Sequence, residues 1–135
     1  MIETVRVSEK AKIQLSNLKR RTGIQNWNVL CRWGFCLSLA ENTIPPDESI
    51  PLDSSVEMTW RTFTGGREEL YWGLLVLRAE RDGVELERDA LAKYFRLHLH
   101  RGISYLNGRA SVRRIDDLAR LALAAGDGAR ARAGA

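Results

Sequence analysis

The sequence predicts a mainly α-helical protein with a short strand at its start and a second short strand near its middle. Three observations carry this. Apolar residues recur at spacings of three and four over most of the chain, cap residues and glycines bracket those stretches, and the only alternating runs, residues 2–7 and 56–63, are short. The 135 residues suit one domain. A chain this long buries roughly two-thirds of its unfolded surface and needs no disulfide or metal to fold. The expected domain is 1–125: a core over 1–41, a Pro-rich connection over 42–55 and a helical part over 56–125. A disordered tail is expected over 126–135.

The elements follow in order. Residues 2–7, IETVRV, alternate and favour a strand. Ser8 is a good N-cap with Glu9 behind it, so a first helix is expected over 9–21, ended by Gly23. At about 100° per residue, Ala11, Leu15, Leu18 and Thr22 form its buried stripe. Lys12 and Lys19 then share one flank, Lys10 and Arg21 the other, and Arg20 points away from the core. Asn26 is placed to cap a second helix over 27–41. Only Asn28 and Arg32 interrupt its apolar surface, so it should be covered on all sides, one face by its own chain and the other by a second chain. Residues 42–55, NTIPPDESIPLDSS, hold all three prolines and read as a connection. VEMTWRTF alternates and predicts the second strand. Further helices are expected over 67–82, ended by Gly83, over 86–106, ended by a turn at Asn107-Gly108, and from Ser111 to Gly126.

Charge is the most uneven property of the chain. The formal net charge is +4, and residues 1–41 carry all of it, with seven Lys or Arg against three acids; residues 42–135 balance at fourteen of each. From Lys10 to Ala40 there is no acid at all. A solvated helix ordinarily mixes signs, because Glu–Lys pairs stabilise it. An acid-free stretch makes a local positive field that suits a polyanion. Lys10, Lys12, Lys19, Arg20 and Arg21 are the expected nucleic-acid contacts, holding phosphate without telling bases apart.

Catalytic signals are weak by comparison. Cys31 and Cys36 are about 140° apart on a helix and read as buried structural thiols. His98 and His100 diverge, one packed and one exposed, with no ligand set to complete a zinc site. Gly65-Gly66 lacks the partners of a phosphate loop and reads as a plain turn. Glu68 and Glu69 suit the first turn of a helix. No serine or cysteine has a recognisable base, so no catalytic residue, cofactor or metal is assigned. The charged start, the lack of any run of about 18 apolar residues and the two unpaired cysteines predict a cytoplasmic protein without a membrane span.

A strand, a basic helix, a glycine turn and an apolar second helix is the order of a ribbon-helix-helix unit, which dimerises through both strand and second helix. Within it, VSEKAKIQLSNLKRRTGIQNWNVLCRWGFCLSLAE, residues 7–41, resembles the signature of the DndE family, DNA sulfur modification proteins of bacteria. The resemblance extends over nearly the whole chain up to Ala125. It implies a role in DNA phosphorothioation, in which sulfur replaces a non-bridging oxygen of the DNA backbone. It also implies a ribbon-helix-helix-like core, a homo-tetramer and binding of double-stranded DNA, notably nicked DNA. DndC, which resembles ATP-dependent sulfurtransfer enzymes, and DndD, an ATPase, would be its companions, with DndE the small non-catalytic member. Two other readings stay open. One is a ribbon-helix-helix regulator reading an operator through exposed strand residues such as Glu3 or Arg6. The other is an enzyme whose site is shared between subunits.

Overall fold

The computed structural model describes residues 1–109 and, further on, Arg120. The helix expected from Ser111 and the tail lie outside the described residues. The order is β1 (Thr4–Arg6), α1 (Glu9–Thr22), α2 (Trp27–Ala40), β2 (Glu57–Thr59), α3 (Trp60–Thr64), α4 (Glu68–Arg81) and α5 (Arg88–Gly108). No described helix is long and apolar enough to cross a membrane.

Local signals set α1. The Ser8 hydroxyl accepts from the Ala11 N–H at 3.1 Å, and Gly23, in the left-handed region at φ 77°, closes the helix through its N–H to Lys19 O. Ala11, Leu15, Leu18 and Thr22 are all buried, the stripe expected from spacing. Asn26 does sit at the N-cap of α2, but its side chain makes no capping bond.

The strand β1 finds its partner within the chain. It pairs antiparallel with β2, Thr4 facing Thr59, Val5 facing Met58 and Arg6 facing Glu57. The connection over 42–55 has no regular element and is tied down by side chains: the Ser54 hydroxyl donates to Val7 O at 2.7 Å and accepts from the Val56 N–H at 3.1 Å. A ribbon-helix-helix dimer would pair this strand with its copy in another chain. Here one edge of it is already occupied.

Two expected boundaries move. The run VEMTWRTF is extended only as far as Thr59, whose hydroxyl accepts from the Thr62 N–H at 3.1 Å and starts the short helix α3. Helical spacing buries Trp60 and Phe63 together, where strand alternation would have put them on opposite faces. Asn107 and Gly108 belong to α5 rather than to a turn.

The core is built on α5, which packs along α2 and α1. Phe95 is its aromatic hub, with ring centroids 5.1 Å from Phe35, 5.2 Å from Phe63 and 5.3 Å from Trp60. Such pairs each contribute about 0.5–1.5 kcal/mol beyond their buried area. Within this one chain α2 is covered on a single face, by way of Leu30, Cys31, Gly34, Phe35 and Ser38. On the far side Cys36 and Ala40 are exposed, and Val29, Trp33 and Leu37 are half-buried. Cys36 is therefore not the buried thiol its segment suggested. The expectation for the histidines also changes. His98 is buried as one of the two should be, but His100 is half-buried rather than exposed, because its Nε2 accepts the Ser8 N–H at 3.1 Å.

Candidate nucleic-acid interface

The five cations of α1 do not form one patch. Lys19, Arg20 and Arg21 fill the last turn, where positive charge also suits the helix dipole. Lys19 lays its ammonium 3.4 Å from the ring centroid of Trp27, the first residue of α2. Arg20 is exposed and donates to Asn17 Oδ1. Arg21 reaches the end of α5, its Nη2 donating to Asn107 O at 2.9 Å and Asn107 Oδ1 at 3.0 Å. These bonds tie the C-terminal end of α5 to that of α1.

Lys10 and Lys12 lie two turns away, against the connection. The Lys12 ammonium donates to Ser55 Oγ at 3.0 Å, and Asp53 Oδ1 accepts from the Glu9 N–H at 2.8 Å. Lys10 shares a cavity of about 440 Å³ with Glu48, Asp53, His100 and Arg101. Acids distant in sequence thus temper the field at this end. At the other end, Asn17, Arg20, Arg21 and Asn107 line an open cavity of about 530 Å³ without a carboxylate. Asn17, Asn107 and Trp27 were missed in the sequence. Periodicity places Asn17 on the exposed side of α1, but nothing local links Arg21 to a residue 86 positions on.

The outer side of the ribbon carries an ion pair at one end. Arg6 Nη2 lies 2.6 Å from Glu57 Oε2, so the one strand cation is paired with an acid directly across from it. Arg32, half-buried, caps α3. Its Nη1 donates to Phe63 O at 3.0 Å, and a Cβ on Gly65 would lie 2.7 Å from that nitrogen. Gly65 therefore serves both its left-handed φ of 65° and the guanidinium beside it.

A buried polar network closes the other end of α2. Arg78 donates to Leu39 O at 2.6 Å, Glu41 O at 2.6 Å and Thr43 O at 3.0 Å, and Arg101 donates to Ser38 O at 2.9 Å and Thr43 O at 3.0 Å. Arg78 is only 7% exposed and is neutralised by Asp82 at 2.9 Å. Burial alone would raise the Asp82 carboxyl, but hydrogen bonds from Tyr94 and Arg78 outweigh it and hold it below its usual range. Arg101 Nε donates to Ser38 Oγ at 2.8 Å, and the same hydroxyl is hydrogen-bonded to His98 Nδ1, also at 2.8 Å. His98 is neutral, and its Nε2 is buried without a hydrogen-bond partner among the described residues. Burial, reinforced by Arg101 and Arg78, pushes its pKa down to about 3. A serine–histidine contact does exist, but both side chains are fully enclosed, and no substrate atom can reach them. Cys31 is likewise inert, its thiol pushed up to about 12 by burial. Among the described residues no three His, Cys, Asp or Glu side chains gather as a metal site.

An intrachain two-stranded ribbon, a helix ending in three cations and an apolar second helix define a small helical protein with a ribbon-helix-helix-like core. A family profile described as "DNA sulphur modification protein DndE" matches residues 4–114. This chain belongs to the DndE family. It is similar to the crystal structure of DndE from Escherichia coli B7A, described as involved in DNA phosphorothioation modification, at 27% identity and a TM-score of 0.66, covering 78% of this chain and 98% of that one. A glycine-to-lysine mutant of DndE, described as involved in DNA phosphorothioation, shares the fold at 21% identity and a TM-score of 0.63, covering 81% of this chain and 100% of that one. No curated protein matches the chain.

Proposed function

We propose that this chain is a DNA-binding accessory subunit of the bacterial DNA phosphorothioation machinery, holding the double-stranded backbone, including nicked duplex, through the basic end of α1. The observation that carries the reading is the last turn of α1, where Lys19, Arg20 and Arg21 sit beside a cleft that no carboxylate lines. Lys10 and Lys12 extend the contact along the helix, more weakly because Glu48 and Asp53 are close. Such contacts position a duplex without reading it. The similar protein from Escherichia coli B7A is described as involved in the same modification.

The Arg6–Glu57 pair favours this reading over an operator-binding regulator. A ribbon entering the major groove needs free donors on its outer face, and here the strand cation is already engaged. The sealing of Ser38 and His98 favours binding over turnover by the chain itself. The outer face of α2 and the exposed Leu70, Leu74 and Leu77 of α4 supply apolar surface for a homo-oligomer, with a tetramer as the assembly and DndC and DndD as further partners.

Binding to intact, nicked and unrelated duplexes at two salt concentrations tests the proposal. The expected result is salt-sensitive binding to all of them, tightest at the nick. Binding confined to one sequence would transfer the chain to the regulators, and absence of binding at low salt would remove the DNA role.

A further inference from the structure

We propose that the cleft between the C-terminal ends of α1 and α5 is a seat for a single phosphoryl group; this deepens the DNA reading above and rests on it for the source of that group. The cleft is the open cavity of about 530 Å³ lined by Asn17, Arg20, Arg21 and Asn107. The fold has already sorted its polar atoms. Asn107 Oδ1 accepts from Arg21 at 3.0 Å, and Asn17 Oδ1 accepts from Arg20. An amide whose oxygen is engaged has its NH₂ left to give, and a guanidinium has no acceptor at all. What the side chains of these four residues still offer is mainly donors, and no carboxylate shares the lining. A positive, donor-rich surface without a carboxylate suits an oxyanion, and guanidinium forks suit phosphate in particular.

The local field agrees. Two helix ends meet here, each carrying about half a negative charge. Against them stand the full charges of Arg20 and Arg21, and three of the terminal carbonyls are already occupied: Lys19 O by the Gly23 N–H, Leu106 O by the Arg109 N–H and Asn107 O by Arg21. The balance stays positive. Arg21 Nε is buried without a hydrogen-bond partner among the described residues. A guanidinium so poorly solvated on one edge gains more than an exposed one from an anion against its other edge.

The test is NMR of the arginine Nε–Hε groups in the full chain during titration with inorganic phosphate at constant ionic strength. Arg20 and Arg21 should shift together along one saturating curve, acetate at equal concentration should not saturate them, and Asn17→Ala should weaken the phosphate titration at least several-fold. Shifts that stay linear in phosphate, or that appear equally at Arg61 and Arg67, overturn the seat. Duplex DNA is then added to the phosphate-loaded protein. Displacement of phosphate with movement of the same two signals identifies DNA as the source. Saturation by phosphate with no response to duplex keeps the seat and removes the DNA reading from this surface. Duplex binding that leaves both signals still, with phosphate unsaturated, removes the seat and leaves the DNA reading standing.

Discussion

Gly34 of α2 and Gly102 of α5 cross backbone on backbone: a Cβ on Gly102 would lie 1.6 Å from the Gly34 carbonyl oxygen, and one on Gly34 would lie 2.9 Å from the Ile103 nitrogen. Phe35 meets Phe95 and Ser38 meets His98 across the same pair of helices.

Gly102→Ala should therefore cost about 3 kcal/mol or more, the upper end for overpacking, since backbone cannot rotate away as a side chain does. Gly73→Ala, at a helical position with open space around it, should be neutral or stabilise by up to about 1 kcal/mol. Urea midpoints of the two variants give the comparison, and equal midpoints would contradict the close crossing.

Stability should fall with acid in a window set by His98. Its folded pKa, about 3, lies below the ordinary 6.5, so the unfolded chain binds the proton first. The neutral histidine's contribution is complete above pH 6.5 and is lost as pH falls from there toward 3, at up to about 1.4 kcal/mol per pH unit. His100, also lowered by burial, adds in the same direction. His98→Gln should be less stable at neutral pH and show a shallower acid slope; an unchanged slope would place the titration elsewhere.

Neutralising Arg20, which is exposed and bonded only within its own helix, should weaken duplex binding without unfolding the chain. Each lost phosphate contact should lower the slope of log affinity against log salt by about 0.9, and by a multiple of that if several copies touch one duplex. Lys10→Gln should have the smaller effect, because Glu48 and Asp53 border the same cavity. A larger effect from Lys10 would move the interface to the other end of α1.

The outer face of α2 makes a prediction about assembly and about thiols together. Cys36→Glu, at a position exposed in the single chain, should leave the helical content intact and shift the protein to a smaller species in light scattering. In the unaltered protein a thiol reagent should label Cys36 faster as the protein is diluted, whereas Cys31 should react only on unfolding. A protein that is already monomeric at micromolar concentration would rule out this interface.

Much of the first helical hairpin was legible without coordinates. Ser8, Glu9 and Gly23 act on groups within four residues of themselves, so α1, its caps and its buried stripe follow from local hydrogen bonding and spacing. The same is true of the family signature, which is contiguous. The second strand was legible but its end was not, because the alternation runs on through Phe63 while the chain turns helical at Trp60. The Thr59 cap and the aromatic cluster around Phe95 decided it.

What the chain order alone determined was the identity of β1, α1, α2, α4 and α5 and the sign of the charge; what only the folded arrangement decided was who neighbours whom. The acid-free run from Lys10 to Ala40 is acid-free along the chain but not in space, since the connection brings Asp53 and Glu48 to one end of α1. Arg21 and Asn107 are 86 residues apart and Arg6 and Glu57 are 51 apart, yet the first pair builds the cleft and the second neutralises the ribbon. The physical reason is range. Caps and periodicity work through a turn of backbone, whereas a field or a donor-lined cleft depends on distances that chain separation does not encode and that only the packing of α5 against α1 and α2 sets.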